Sequence, residues 1–441
     1  MSKNKIRFID IFAGIGGIRL GFEQAAKELG VETECVLTSE IKSHAIEVLK
    51  QNHPDEDILG DITNISSSMI PDFDILLGGF PCQAFSAAGK RHGFSDTRGT
   101  LFFEVQRILK EKSPYGFILE NVEGLINHEK ESKNDKIGKT LKTILNALDE
   151  LGYNVEWKVL NSRYFGVAQE RKRVYIVGTK SAKPSLDSFV YKEVFLKDVI
   201  ESGKTTIKSR FIDLLTSHYT PEELYGKSLK DKRGGDNNIH SWDIELKGAV
   251  SKEQRTLLNQ LFKERRKKRW AEEFKIDWMD GMPLTLSQIR TFYDRPNLEF
   301  LLEDLTEKGY LKKEHPKKLV DQIDVFGVTK RVRIQDSTLP LGYNIVTGKL
   351  SFEVSKILDP NDVVPTLVAM DMKKLFVIDG EGLRTITHCE GLKLFGYPED
   401  FKFNISNDLG YDLLGNTVVV PVVKEVAKKV LNIYVKNIVE V

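Results

Sequence analysis

The feature that most constrains the fold is the regular alternation, between residues 6 and 178, of short apolar runs with helix-length segments. The apolar runs end in Gly, Asp, Glu or Pro, as buried strands of parallel sheets do. Parallel strands need crossover connections, which helices usually supply. We therefore expect an α/β domain with a doubly wound, mostly parallel sheet. The predicted strands are 6–12, 35–39, 75–77, 116–119, 155–160 and 174–177.

The alternation stops near residue 178 and returns close to the carboxyl terminus. The intervening part is more charged and has no regular spacing. A strand is predicted at 375–378, a helix at 387–395 and a last helix from Pro421. Since no helix precedes the first strand, the last helix can cover that flank of the sheet. We expect three segments: a catalytic domain at 1–178, a variable recognition domain at 179–365, and a segment at 366–441 that partly completes the first domain.

Two features of the middle segment suggest contact with nucleic acid. Predicted helices at 284–292 and 296–308, followed by strand-like runs at 322–328 and 331–334, resemble a winged helix-turn-helix, although such small motifs also occur in proteins that bind no DNA. A basic run precedes Trp270 and includes Lys263, Arg265, Arg266, Lys267, Lys268 and Arg269. In isolation, a solvated helix face explains such a run equally well.

Overall charge and cysteine content limit the function classes. The chain of 441 residues has 65 Lys and Arg against 64 Asp and Glu, so its net charge is no argument for nucleic acid. Cys35, Cys82 and Cys389 are far apart, which disfavours disulfides and a zinc site. We expect a cytoplasmic protein without a bound metal. No apolar stretch is long enough to span a bilayer.

A glycine loop follows the first predicted strand. Gly14, Gly16 and Gly17 are spaced more tightly than in the dinucleotide pattern, so no pyrophosphate site is needed. Glu40 and Asp61 end the next two strand-like segments, where carboxylates can bind ribose hydroxyls and an adenine amine. Together these groups favour an adenosyl ligand without phosphates, although a plain tight turn explains the loop alone.

Two reactive groups follow other predicted strands. Cys82 comes directly after the strand at 75–77 and the glycines Gly78 and Gly79, and Glu120 ends the strand at 116–119. Because the carboxyl ends of parallel strands share one edge of the sheet, we expect the thiol and the carboxyl group to lie near each other. A lone cysteine is more often an inert buried thiol, so the cysteine alone does not identify a nucleophile.

These motifs, in this order, resemble the DNA cytosine-5 methyltransferases, chiefly those of bacterial restriction-modification systems. The similarity runs from residue 8 to 421. It includes Asp10–Gly17, Glu40, Gly60–Ile62, Pro81–Gln83, Asp96–Phe102, Glu120–Val122, Gln169–Arg173, Arg384 with Thr387 and Glu390, Leu394–Pro398, and Gly415–Val418. The unmatched part between residues 178 and 365 is where this family has its variable target-recognition domain.

The resemblance implies a function and a set of site residues. The expected reaction is transfer of a methyl group from S-adenosylmethionine to carbon 5 of a flipped-out cytosine, through a covalent adduct with Cys82. Glu120, Arg171 and Arg173 are the other expected catalytic residues. The expected cofactor-binding residues are Phe12, Gly14, Gly16, Gly17, Glu40, Asp61, Ile62, Gly78, Leu101, Asn416 and Val418.

Double-stranded DNA is the expected partner. In the segment after Cys82, the expected DNA contacts are Gln83, Ser86, Lys90, Arg91 and Arg98, and with DNA as partner the basic run at 263–269 becomes a phosphate-binding element. We expect a monomer, because each DNA strand can be methylated in turn. A restriction endonuclease is expected to act on the same site without a stable complex.

Three other functions remain open. A tRNA methyltransferase of the same fold is the nearest, but that branch carries a Cys-Phe-Thr tripeptide, whereas here Cys389 precedes Glu390. A DNA-binding regulator without catalytic activity is a second, although both Cys82 and Glu120 are present. An NAD-dependent oxidoreductase explains the glycine loop but gives Cys82 no role.

Overall fold

In the computed structural model, the described residues are 5–80, 101–132, 134–231, 235, 237–323, 329–347 and 352–439. The chain forms two compact units. The first comprises Met1–Ser202, Asp359–Lys373 and Thr385–Val441, and the second comprises Gly203–Leu358 and Lys374–Arg384. The first unit thus continues past residue 178 to Ser202. Across the described ranges, no helix combines the length and apolar character needed to cross a membrane.

The first unit is built on a seven-stranded sheet. Its strands are β1 (Lys5–Ile11), β2 (Glu32–Ser39), β3 (Ile58–Leu59), β4 (Ile75–Gly78), β5 (Gly116–Val122), β6 (Asn154–Asn161) and β7 (Lys172–Thr179). Their order is β3-β2-β1-β4-β5-β7-β6. The pairs from β3 to β5 are parallel, whereas β7 is antiparallel to both β5 and β6. The predicted mostly parallel α/β sheet is confirmed.

Four helices connect these strands: α1 (Gly17–Glu28), α2 (Ser43–Asn52), α3 (Leu101–Lys112) and α4 (Lys139–Glu150). Side chains alternate between the two faces of β1, as expected for a strand. Ile9 and Ile11 belong to the core formed with α3 and α4. Phe8 is on the other face and packs against Phe22 of α1. The sheet is therefore buried on both sides at β1.

The second unit combines short helices with small sheets. Its helices are α5 (Arg210–His218), α6 (Pro221–Leu224), α7 (Lys252–Glu264), α8 (Arg269–Glu273), α9 (Leu286–Arg290) and α10 (Leu298–Glu307). Its strands are β8 (Ser228–Leu229), β9 (Asn238–Ile239), β10 (Leu311–Glu314), β11 (Lys317–Ile323), β12 (Thr329–Gln335), β13 (Gly342–Ile345), β14 (Lys356–Ile357), β15 (Leu375–Asp379) and β16 (Gly382–Thr385). One apolar core gathers around α7 and α10, and another around α5 and β14.

The helix pair and hairpin predicted in this unit are only partly as expected. Helices α9 and α10 lie within the predicted ranges, but β11 begins at Lys317 rather than at residue 322, and residues 324–328 lie outside the described part. The antiparallel ribbon of β11 and β12 is mostly exposed. Its first residues therefore lack the apolar alternation by which a half-buried strand is recognised. A helix-turn-helix role for this part stays a prediction.

The chain returns to the first unit with α11 (His388–Phe395), α12 (Asn407–Asn416) and α13 (Val420–Val439). Helix α13 packs along α1, and Gly21 lies at the contact. A β-carbon on Gly21 would lie 2.7 Å from Cβ of Val423 and 2.9 Å from the carbonyl oxygen of Val420. The two helices can approach this closely only because Gly21 has no side chain.

We predict that Gly21→Ala destabilises the protein. Alanine adds about 1 kcal/mol of helix propensity, but overpacking against the α13 backbone costs about 1–3 kcal/mol, so the net change is unfavourable. Urea denaturation should show a lower midpoint than in the wild type. As a control, Gly60→Ala should change the midpoint little, since nothing lies within 4 Å of the added carbon. Equal midpoints for Gly21→Ala and Gly60→Ala would contradict the prediction.

Candidate functional site

The glycine loop turns the chain from β1 into α1 through left-handed backbone conformations. Phe12, Gly14 and Gly16 have φ angles of 58°, 57° and 80°. Gly16 is the residue before the first turn of α1, and no side chain caps that end. Glycine adopts positive φ without strain, whereas Phe12 does so at a cost. The loop therefore presents backbone rather than side chains at the amino end of α1.

Glu40 connects this loop to the end of β2. Its Oε2 accepts a hydrogen bond from the Gly14 amide at 2.7 Å, and its Oε1 accepts from the amides of Ile41 and Lys42, both at 2.8 Å. The side chain is mostly buried, and three backbone donors fix its orientation. Each carboxylate oxygen can accept more than one hydrogen bond. Glu40 thus keeps acceptor capacity for hydroxyl groups of a ligand while holding the loop in place.

The segment at residues 60–62 is a turn rather than part of the next strand. Strand β3 ends at Leu59, and Asp61 caps a 3-10 turn at Ile62–Asn64 by accepting from the Thr63 amide at 3.0 Å. Ser39 donates to the Gly60 carbonyl oxygen at 2.6 Å, which ties this turn to the end of β2. Asp61 is exposed and Ile62 is buried. The two carboxylates predicted to bind an adenosyl group therefore follow adjacent strands.

Glu120 and Arg173 form a mostly buried ion pair on neighbouring strands. Arg173 Nε lies 3.0 Å from Glu120 Oε1. In the antiparallel register Glu120 of β5 is paired with Tyr175 of β7. Arg173 is two residues from Tyr175 along β7, so its side chain is on the same face of the sheet as that of Glu120. Burial raises the pKa of Glu120 above its ordinary value, although Arg173 and Arg171 oppose the rise. The site therefore contains a carboxyl group that holds a proton more readily than an exposed glutamate.

Arg171 was predicted as catalytic, but the structure gives its side chain internal partners. Nη1 donates to the Leu367 carbonyl oxygen at 2.8 Å, and Nη2 donates to those of Gly415 and Thr417 at 3.1 and 2.9 Å. The guanidinium also lies 5.3 Å from the centre of the Phe395 ring. Arg171 joins the start of β7 to the carboxyl-terminal part of the first unit. Arg171 also opposes the rise in the pKa of Glu120 that burial causes, and a catalytic role for Arg171 stays a prediction.

Asp10 is a buried carboxyl group that the sequence did not single out. Neither of its oxygens has a hydrogen-bond partner among the described residues. Burial raises its pKa from 3.8 to about 8, and Arg19 only partly opposes this. An unpartnered buried carboxyl group is unfavourable, so such groups are frequently associated with function. Its place two residues before Phe12 puts it beneath the glycine loop.

Asn416, predicted to bind the cofactor, is exposed at the end of α12 and is oriented by Asp412. Its Nδ2 donates to the Asp412 carbonyl oxygen at 2.7 Å and to Oδ1 at 3.1 Å. Asp412 Oδ2 in turn lies 3.1 Å from both Lys42 Nζ and His44 Nε2. Burial opposes ionisation of Asp412, but the hydrogen bonds from His44 and Lys42 outweigh it and lower its pKa. This network, which sequence reasoning missed, joins Asn416 to the residues that follow Glu40.

The remaining cofactor residues predicted from sequence lie at or next to the ends of helices and strands. Gly78 ends β4, Leu101 begins α3, Gly17 begins α1, and Val418 is buried just before α13. A β-carbon on Gly17 would be 2.8 Å from Cγ2 of Val418, so these two residues are in close contact.

The predicted nucleophile and its neighbouring DNA contacts lie outside the described residues. These residues are Cys82, Gln83, Ser86, Lys90, Arg91 and Arg98. The described chain reaches Phe80, whose carbonyl oxygen accepts from Asn121 Nδ2 at 3.2 Å. Asn121 follows Glu120 in β5, so the chain enters residue 81 from a point fixed to the strand that bears the carboxyl group.

The basic run predicted to bind DNA has mixed surroundings. Arg265 is buried and donates to Asn344 Oδ1 at 2.8 Å, so its guanidinium is not on the surface as expected. Arg269 forms an ion pair with Glu264, and so does Lys267, while Arg266 is paired with Asp280 at 2.9 Å. Lys263 and Lys268 are exposed and form no ion pair with described residues. Fewer cations of this run are therefore available to bind phosphates than its sequence indicates.

No cluster of three or more His, Cys, Asp or Glu side chains in the described ranges could hold a metal ion. The groups that gather in the first unit are instead a glycine loop, strand-end carboxylates and the Glu120–Arg173 pair. This set suits an organic ligand with hydroxyl and amino groups.

The chain matches the profile of the C-5 cytosine-specific DNA methylases over residues 6–432. It therefore belongs to this family and is a DNA cytosine methyltransferase. It is 60% identical to the Type II methyltransferase M.NlaIV of Neisseria lactamica, over 97% of this chain and 99% of that protein. It is 44% identical to M.BanI of Aneurinibacillus aneurinilyticus, over 96% of this chain and 95% of that protein.

Solved structures agree with the fold. The methyltransferase EhMeth of Entamoeba histolytica aligns with a TM-score of 0.54 at 16% identity, covering 98% of this chain and 99% of that one. A structure described as a DNA modification methyltransferase of an E. coli prophage aligns with a TM-score of 0.53 at 20% identity, over 97% of this chain and 99% of that one. At these identities the likeness concerns the fold alone.

We predict that Asp10 makes stability fall as pH rises. Its pKa is 3.8 ordinarily and about 8 in the folded chain, so the folded state keeps a proton that the unfolded state loses within this window. By linkage the wild type should lose stability relative to Asp10→Asn between these two pH values, by up to about 5 kcal/mol. Urea denaturation of both proteins at a series of pH values measures the difference. Parallel stability curves would show that Asp10 is ionised in the folded protein.

Proposed function

We propose that this methyltransferase transfers a methyl group from S-adenosylmethionine to carbon 5 of cytosine in double-stranded DNA, with Cys82 as the nucleophile. The observation that carries the proposal is the mostly buried Glu120 carboxyl group, paired with Arg173, on the strand beside the one that leads to Cys82. The family membership supports DNA cytosine as the substrate.

The residues around the glycine loop fit an adenosyl sulfonium ligand. Glu40 has acceptor capacity for ribose hydroxyls, and the exposed Asp61 can accept from an adenine amine. Asp10 is a buried carboxyl group with no described hydrogen-bond partner, which suits a nearby donor or cation. Phe12, Gly14, Gly16, Gly17, Ile62, Gly78, Leu101, Asn416 and Val418 complete the proposed set. S-Adenosylmethionine supplies an activated methyl group on a sulfonium sulfur.

Glu120 is proposed to bind the cytosine ring. A carboxyl group whose pKa is raised by burial can donate a hydrogen bond to the ring nitrogen N3 while accepting one from the exocyclic amine. Arg173, at 3.0 Å from Glu120, orients this carboxyl group and can bind the base oxygen or a phosphate. Polarising the ring at N3 makes carbon 6 more electrophilic, so the pair prepares the base for attack.

Cys82 is proposed to act as a thiolate. Its sulfur forms a bond to carbon 6, and the ring electrons then give carbon 5 enamine character. Carbon 5 attacks the methyl group, the bond between the methyl carbon and the sulfonium sulfur breaks, and S-adenosylhomocysteine leaves as a neutral thioether. A base removes the proton from carbon 5, and the electron pair expels the cysteine sulfur. The target base must leave the duplex for this chemistry, at a cost of about a few kcal/mol.

The biological role that fits best is protection of DNA in a restriction-modification system, as the Type II names of the relatives suggest. The first unit carries catalysis and cofactor binding, and the second carries target recognition. The partners in this proposal are double-stranded DNA and an endonuclease of the same specificity that acts separately. We infer a monomer that acts in the cytoplasm.

We predict that Cys82→Ala abolishes transfer of labelled methyl groups from S-adenosylmethionine to unmethylated genomic DNA, because alanine has no nucleophilic group to add to carbon 6. The exposed Cys389 provides a matched control, and Cys389→Ala should keep the wild-type rate. Parallel reactions with total tRNA test the RNA alternative. Label in tRNA but not in DNA, or unchanged transfer by Cys82→Ala, would refute the proposal.

We predict that the exposed lysines of the basic run contact phosphates. Neutralising Lys263 and Lys268 together should lower the slope of log affinity against log salt by about 0.9 for each lost contact. Fluorescence anisotropy with a labelled duplex at several salt concentrations measures the slope. Lys252→Gln, at the exposed start of α7, is the control and should leave the slope unchanged. An unchanged slope in the double variant would assign these lysines to a solvated surface only.

A further inference from the structure

The second unit has a cleft of about 580 Å³ beside helix α7. Its polar and aromatic lining includes Asn238, His240, Asp243, Asn259, Lys263, Arg266 and Trp278, and the Asp243 carboxylate accepts from the His240 amide at 2.9 Å. The imidazole of His240 is stacked on the buried Trp242 ring, with the ring centres 4.2 Å apart. The cleft is thus lined by the stacked imidazole of His240 on one side and by polar and charged side chains on the other.

One face of α7 supplies that wall. Asn259 and Lys263 are four residues apart, which places them on the same side of α7, and Arg266 follows just after the helix ends at Glu264. The opposite side is buried in the core of the unit, through Leu258 and Leu261. The helix is therefore fixed by its apolar side and presents hydrogen-bond donors on its exposed side.

The amide of Asn259 has a defined orientation. Trp242 Nε1 donates to Asn259 Oδ1 at 3.1 Å. An indole N–H can only donate, so it selects the carbonyl end of the amide and leaves both N–H groups of Nδ2 for other acceptors. Asn259 Nδ2 forms no hydrogen bond with described residues, and the side chain is exposed. This amide is a pre-oriented donor held by a buried tryptophan.

An acceptor-rich base edge matches this donor. In the major groove of DNA, guanine presents two acceptors, N7 and O6, and the groove is wide enough for an α-helix. Lysine and arginine side chains near a base-reading residue bind phosphates, and these contacts fix the register of a protein on the duplex. Lys263 follows Asn259 one turn later on the same face of α7 and can take this part, whereas Arg266 lies past the helix end and is paired with Asp280 at 2.9 Å.

We propose that this cleft is the base-reading surface of the second unit, and that Asn259 donates to the N7–O6 edge of a guanine in the target site while Lys263 contacts an adjoining phosphate. The inference rests on the proposed function and adds to it a specificity-determining residue. Trp278, 41% exposed and held by a bond from Nε1 to the Arg266 carbonyl oxygen at 3.0 Å, limits the cleft on the far side of Arg266.

The test uses synthetic duplexes. Bisulfite sequencing of DNA methylated by the wild type first gives the target site. Each guanine of the site is then replaced in turn by 7-deazaguanine, which lacks the N7 acceptor. We expect kcat/KM of the wild type to fall about tenfold at one guanine, as loss of a base contact does. Asn259→Ala should lose a similar factor on the normal duplex and be insensitive to the deaza substitution at that guanine.

Two further variants make the result specific. Asn259→Asp keeps an acceptor for Trp242 but has no N–H groups, so it should behave like Asn259→Ala even if the alanine variant folds poorly. Gln260→Ala removes an exposed amide from the neighbouring position of α7 and should keep the wild-type pattern.

The inference is overturned if Asn259→Asp shows the wild-type sensitivity at every guanine. It is also overturned if this variant weakens binding equally for all sequences with a smaller salt slope, which would identify a phosphate contact. Unchanged methylation by both Asn259 variants would show that Asn259 does not read a base, and would reject the inference. A wild type that does not methylate DNA at all would instead refute the proposed function itself.

Discussion

The structure depends on the parallel pairing of β1 with both β2 and β4. Because these strands run in the same direction, their carboxyl ends meet at one edge of the sheet. The glycine loop, Glu40 and the chain toward Cys82 all leave from that edge. The β4–β5 pair extends the edge to Glu120, and the antiparallel β7 brings Arg173 to it from the opposite direction. The strand order thus brings together groups that are up to 159 positions apart in the sequence, from Gly14 to Arg173.

Burial then gives these groups different chemical properties. Glu120 and Asp10 are both carboxyl groups on interior strands, and burial raises the pKa of each. Glu120 has a cation beside it, whereas Asp10 has no described hydrogen-bond partner. The Glu40 carboxylate accepts three backbone amides instead, which satisfies its charge without a counterion. The three carboxyl groups therefore differ in their surroundings: Glu40 has three backbone donors, Glu120 has a neighbouring arginine, and Asp10 has no described hydrogen-bond partner.

The sequence predicted those parts of the fold and site that are local. Strand-end motifs indicated Glu40 and Glu120, because a strand followed by Gly, Glu or Asp is visible within a few residues, whereas Arg173 was predicted only from the family resemblance. The sequence did not predict that Arg171 binds carbonyl groups near residues 367 and 415, or that Asp412 joins Lys42 to Asn416. Such contacts depend on tertiary packing between distant segments, and no local pattern encodes them. The start of β11 was missed for a different reason, since an exposed ribbon lacks apolar alternation.

The second unit shows why counting charges in a sequence overestimates a binding surface. Of the cationic run before Trp270, Arg265 is buried against Asn344, and three others are paired with Glu264 or Asp280. Pairing with nearby acids reduces the charge available for phosphates, in keeping with a net charge of only +1 for the whole chain. The same pairing orders the side chains around α7, and an ordered donor loses less entropy on binding than a mobile one. The target recognition proposed for this unit therefore depends more on the fixed geometry of a few donors than on the total charge of the unit.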